Sequence, residues 1–131
     1  MRRLTAAMLC ISLMLTVCAC GKTRGVELTH WEPSALYSNG EIKSAVRCAE
    51  LYFRQHFSGC ELLTISYAGD ERSIAESEYR GTDTIVLLSS FYVQPNGGDG
   101  SLNQDYTYTG WNWIITKNSA GIWVHTDHGY G

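Results

Sequence analysis

The stretch "DTIVLLSSFYVQ", residues 83–94, constrains the fold most, because both of its alternating sets of side chains are apolar: Ile85, Leu87, Phe91 and Val93 against Val86, Leu88 and Tyr92. A strand apolar on both faces belongs in the middle of a sheet. The segment "CELLTISYAG", residues 60–69, has the length and β-branched content of a second strand, with Leu62, Thr64 and Ser66 alternating against Leu63, Ile65 and Tyr67. After the loop-like "PNGGDGSLNQD", the run "YTYTGWNWIITKN" places Trp111, Trp113 and Ile115 on one face, and a short "NSAG" connection leads into "IWVHTDH" as a hairpin.

A helix precedes these strands. Ser38 and Glu41 in "SNGE" form a capping-box pattern, and Ile42, Ala45, Val46, Ala49, Phe53 and Phe57 recur at helical spacing until Gly59 supplies a stop. "GDERSIAESEYRG" predicts a short second helix, with Ser73 and Glu76 as another capping box and Gly81 closing it. The expected fold class is α+β, a long N-terminal helix packed on a curved, mainly antiparallel sheet of about four strands, with one short extra helix.

The first twenty residues, "MRRLTAAMLCISLMLTVCAC", carry Arg2 and Arg3 followed by an apolar run from Leu4 to Val17, the layout of a secretory signal. That run is shorter than the ~20 apolar residues a membrane helix needs. "VCAC" resembles the lipobox of bacterial lipoproteins: Ala19 is the small residue before Cys20, whereas bulky Val17 would precede Cys18. The resemblance implies acylation of Cys20, and several acyl chains on one residue make a lasting anchor where one holds only marginally. The expected organisation is a lipoprotein signal peptide over 1–19, a lipid-anchored tether over 20–37 and one α+β domain over 38–131. The mature chain would be tethered on the extracytoplasmic face of the cell membrane.

Loss of Arg2 and Arg3 leaves eight basic against thirteen acidic residues, a net charge of −5 with histidine neutral. That balance, without a Lys/Arg stripe, argues against a nucleic-acid partner; only Lys22 and Arg24, beside the anchor, would favour anionic headgroups. Cys48 and Cys60 are the thiols left in the mature domain. A bridge between them is disfavoured, because the helix carries the chain roughly 13 Å beyond Cys48 and three residues recover about 10 Å at most. Two small buried thiols are expected instead.

The closing "WVHTDHGYG" supplies the best site candidate, His125, Asp127 and His128. On a regular strand 125 and 127 share the Trp123 face and 128 turns away, unless the strand ends or bulges. Zn²⁺ needs three or four well-oriented ligands, and neither His30 nor His56 is placed by a spacing rule, so the three are weak metal candidates. "GGDGSLNQD" alternates Asp99, Ser101, Asn103 and Asp105 like calcium ligands, yet Gln104 stands where the loop requires glycine and Gly110 where it requires glutamate. No nucleophile elbow or phosphate loop occurs. Trp111, Trp113 and Trp123 gather with Tyr106, Tyr108 and Tyr130 in the last quarter of the chain, as core or as the lining of a concave pocket. Core is expected for most of them, with Trp111 and Trp113 able to present indole N–H groups to a cleft.

The lipobox, "YFRQHFSGCELLTISYAGDE", "TIVLLSSFYV", "GGDGSLN" and "GWNWIITKN…WVHTDHGYG" together resemble a group of small lipoproteins of Firmicutes, chiefly gut clostridia. The resemblance covers nearly the whole mature chain and implies a fold similar to NTF2-like or cystatin-like domains. It transfers no catalytic residue and no cofactor, and such folds host enzymes and inert binders alike. "ESEYRGTD" is shorter than the corresponding helix of that group. The function expected is a non-catalytic binding or accessory module for a protein or small ligand, with Trp111, Trp113, Trp123, His125 and Asp127 as ligand-binding candidates. Two alternatives stand beside it: a small hydrolase or metal-dependent enzyme using His125, Asp127 and His128, and a surface inhibitor or immunity lipoprotein acting through the glycine-rich loop.

Overall fold

The computed structural model describes residues 20–130; the expected signal peptide, residues 1–19, lies outside them. The elements run β1 (Glu27–Leu28), α1 (Asn39–His56), β2 (Cys60–Tyr67), α2 (Asp70–Arg80), β3 (Thr84–Val93), β4 (Tyr106–Lys117) and β5 (Trp123–Tyr130). The fold is α+β, with two helices and one open five-stranded mixed sheet in the order β1-β2-β3-β4-β5. β1 runs parallel to β2, and the other neighbours are antiparallel. β3 is central, as its two apolar faces require.

The helix expected to open the domain is therefore preceded by a strand, and the sheet has five strands rather than four. The segment expected to be a tether is paired from Gly21 onward. Its amides and carbonyls follow the outer edge of β2, with Lys22 N–H donating to Cys60 O (2.8 Å), Leu62 N–H to Lys22 O (2.8 Å) and Thr29 N–H to Ile65 O (3.1 Å). Backbone pairing of this kind needs no side-chain period, so the sequence carried no sign of it.

α1 begins at the expected capping box. Glu41 N–H donates to Ser38 Oγ, and the Glu41 carboxylate accepts from Ser38 N–H (3.2 and 2.9 Å). Its buried face, Ile42, Ala45, Val46, Ala49 and Phe53, lies against Ile65, Leu87, Phe91, Trp113 and Ile115 of the sheet. In β2 the buried set changes phase, because Leu62 pairs with Phe91 and Thr64 with Ser90, leaving Leu63 as a bulge. Leu62 and Ile65 consequently both reach the core.

α2 covers part of the opposite face, and its N-terminus departs from the expectation. The N-cap is Gly69 with no side-chain cap, while Gly81 closes the helix in the left-handed region as expected. Ser73, expected to cap, lies inside the helix and is buried. Its hydroxyl accepts the Val86 N–H (3.1 Å), and Ser77 Oγ accepts the Thr84 N–H (2.9 Å). These amides lie beyond the last β2–β3 pair, Tyr67–Leu87, so two serines one turn apart satisfy an edge that β2 leaves open. Ser73→Ala should strand the buried Val86 N–H and cost about 1–3 kcal/mol, read as a lower urea midpoint at unchanged m-value. Asp70, in the first turn, ties down the preceding segment: it accepts from Ser34 Oγ (2.5 Å), Ala35 N–H (2.8 Å) and Tyr67 Oη (2.7 Å). The Ser34 bond first, then that from Tyr67, holds its carboxyl below the ordinary range.

Cys48 and Cys60 are unbridged thiols. Cys60 is buried, while Cys48 is half-buried and donates to Trp123 O (3.0 Å).

Candidate functional site

Site geometry originates in β5. Asp127 pairs with Ile114 and His125 with Ile115, leaving Thr126 as a bulge. The bulge shifts the side-chain phase by one residue, so His125 and His128 share the face of Trp113 and Ile115, toward α1. Asp127 falls on the other face, where Arg80 of α2 approaches it at 3.4 Å. The expectation that His125 and Asp127 share a face while His128 turns away is thus reversed. His125, Asp127 and His128 do not converge on one point, and among the described residues no group of three or more His, Cys, Asp or Glu could hold a metal ion.

The two imidazoles form a pair, His125 Nε2 to His128 Nδ1 at 3.0 Å. One of these nitrogens carries the shared proton, and in either tautomer His128 Nε2 and His125 Nδ1 lie outside the shared bond. Tyr52 of α1 fixes the pair from above: its ring stacks on His125 at 3.7 Å between centroids and tilts over His56 at 4.2 Å. Trp111 stacks on the far side of His128 at 5.9 Å. Burial, aided by His128 and opposed by Asp127, holds the His125 imidazole down at about 4, and burial lowers His128 as well. Both are neutral at pH 7.

This sets a pH dependence of known sign. The unfolded chain takes up these protons near pH 6.5 and folded His125 only near 4, so the stabilisation is complete above about 6.5 and is lost as pH falls toward 4. Partial exposure of the pair screens the effect to the order of 1–2 kcal/mol. Urea midpoints at pH 7 and pH 4.5 should differ less in a His125→Gln, His128→Gln double variant than in wild type; an equal difference would refute the assignment.

His128 and Trp111 line a cleft of about 240 Å³, walled by Tyr52, His56 and Phe57 at the end of α1 and by Gly98, Asp99, Ser101 and Leu102 of the glycine-rich loop. The Trp111 indole N–H is itself buried, without a hydrogen-bonding oxygen or nitrogen among the described residues. The loop is held by its backbone, with Gly98 N–H donating to Ser58 O (2.7 Å) and Gln94 N–H to Gly59 O (3.0 Å). Asp99 is engaged internally, accepting from Ser101 N–H (2.9 Å) and Ser101 Oγ (2.5 Å), and Asp105 accepts from Tyr92 Oη. A second cavity of about 260 Å³, on the α2 face, holds Asp127 among polar groups that are already engaged: Arg80 pairs with Glu76 at 2.9 Å, and Arg72 donates to the neutral Asn112 Oδ1 at 2.6 Å.

The expected ligand-binding residues therefore separate. Trp113 is fully buried and donates from Nε1 to Ser89 Oγ (2.8 Å), and Trp123 is buried against Tyr37. Both belong to the core, and neither lines the cleft of His128 and Trp111. Trp111, next to a bulge marked by Gly110 at φ 66°, remains half-buried at the cleft. Tyr52, His56 and Phe57 were missed as site residues. Tyr52 and His56 stand one helical turn apart, the i, i+4 pairing that brings side chains together on a helix and that could have found them. The chain matches no family model, no curated protein and no solved structure, so its function has to be drawn from the geometry of the cleft.

Proposed function

We propose that the protein is a lipid-anchored, extracytoplasmic binding module whose cleft takes a small ligand bearing a hydrogen-bond acceptor and an apolar face. The observation that carries this reading is one aromatic-walled cleft lined both by Trp111, whose buried N–H lacks an acceptor, and by His128, whose Nε2 is uncommitted. At about 240 Å³ the cleft is below the ~300–1,000 Å³ of drug-sized sites, which favours a small occupant. The lipobox ending at Cys20 and the resemblance to small Firmicutes lipoproteins support the placement at the membrane. In this reading the helix-over-sheet arrangement is of the NTF2-like or cystatin-like kind, with α1 covering the concave face and the cleft at its open end. A thermal-shift screen of small carbonyl and carboxylate compounds, followed by tryptophan fluorescence, tests it. Hits should lose affinity in Trp111→Phe and His128→Gln; hits that bind both variants as well as wild type would overturn it.

A second reading, proton-transfer catalysis at His128 with His125 fixing its tautomer, is favoured by the Thr126 bulge that brings the two imidazoles together. Turnover of an ester panel that survives His128→Gln would exclude it.

A further inference from the structure

We infer that the C-terminal end of α1 is a membrane-contact surface, held against anionic lipid headgroups with no flexible tether between the lipid and the fold. The inference rests on acylation of Cys20. Gly21, the next residue, is buried, and its N–H donates to Arg54 O (3.0 Å), one of the last carbonyls of α1. A Cβ at position 21 would lie 2.3 Å from Phe53 O and 2.9 Å from Phe57 O, so only glycine allows the chain to pass so close to the helix end. Lys22 then pairs with β2 through both of its backbone groups. Consecutive Cα atoms are ~3.8 Å apart, so a lipid on Cys20 emerges at the last turn of α1.

Charge agrees with that orientation. Lys22, Arg24 and Arg54 are exposed around the exit point, and Arg54 Nη1 donates to Thr23 Oγ1 (3.1 Å), which keeps the guanidinium beside the anchor. Glu61, across from Lys22, moderates the patch. The attachment therefore comes from the lipid, and the basic residues bias which end faces the bilayer. The cleft shares this end of the domain, since His56 and Phe57 line it. Its mouth then opens near headgroup height.

Full-length, lipidated protein in phosphatidylglycerol-containing vesicles provides the test, with nitroxide labels on Gln55→Cys or Lys43→Cys in a Cys48→Ala, Cys60→Ala background. Both positions are exposed on α1, and they lie roughly 18 Å apart along its axis. Collision with a nickel-chelating headgroup lipid should be several-fold greater at 55 than at 43. A flexible Gly/Ser insert of about 12 residues between Cys20 and Gly21 should erase the difference, and Gly21→Val should reduce it. Equal collision at both positions, with the lipid mass present on Cys20, would overturn the contact surface while leaving the anchor intact. Absence of that mass would overturn the anchor as well.

Discussion

Replacing Trp113 by alanine is expected to remove about 3–5 kcal/mol of folding stability, a large fraction of the ~5–15 kcal/mol that domains possess. Its indole is fully buried between α1 and the sheet, in ring contact with Tyr52, Phe53 and Phe57, and its N–H is satisfied by Ser89. Truncation leaves a cavity and orphans part of a buried hydrogen bond. The neighbouring Trp111 behaves oppositely. Trp111→Phe removes a buried N–H that has no acceptor, so its effect on stability should be close to zero. Trp113→Phe should cost about 1–2 kcal/mol, from the lost hydrogen bond and the smaller ring. Urea unfolding of the three variants gives the comparison. Equal losses at 111 and 113 would mean that Trp111 is core too, and the cleft would lose its main donor.

Much of this architecture was legible because it depends on local pattern. The capping box at Ser38 and Glu41 and the spacing of Ile42, Ala45, Val46, Ala49 and Phe53 are properties of α1 alone, and the structure uses them as the sequence states them. The two apolar faces of β3 likewise admit few places other than a sheet centre. What escaped is of two physical kinds. Ser73 carries the local signature of a cap, but its hydroxyl satisfies Val86 instead, so a tertiary demand overrode a local preference. The bulges at Leu63 and Thr126 each shift the side-chain phase by one residue, and neither residue type announces a bulge.

The second bulge decides the site. Without it His125 would share a face with Asp127, and His128 would lie across the sheet from Tyr52 and Trp111. Strand periodicity picks out both histidines but gives each the wrong partner, because it holds only while the ladder is regular. Tyr52 and His56 were hidden differently: a helical position can serve core or cleft, and only the placement of β5 beside α1 determines which.

The cleft's other wall should depend on a contact between two glycines. A Cβ on Gly97 would lie 2.3 Å from Gly59 O and 3.1 Å from Gln94 N, both backbone atoms that cannot rotate away. Gly97→Ala is thus expected to push the loop off the turn between α1 and β2, at about 1–3 kcal/mol. Gly59 has the same close approach, 2.6 Å to Gly97 Cα, and also a φ of 67°, so Gly59→Ala adds a left-handed penalty of about 1–2 kcal/mol. Gly100, at φ 93° with nothing within 4 Å, is the control, since alanine there meets conformational strain alone. Stability losses should therefore rank Gly59→Ala above Gly97→Ala and above Gly100→Ala. Hydrogen exchange at the Gly98 amide, bonded to Ser58 O, should accelerate in the first two variants and not in the third. Gly97→Ala should also weaken any cleft ligand without changing a residue that lines the cleft, because it displaces the backbone that carries Asp99, Ser101 and Leu102. If the Gly98 amide stays protected in Gly97→Ala, the loop tolerates the extra methyl, and the wall is not held by close backbone contact.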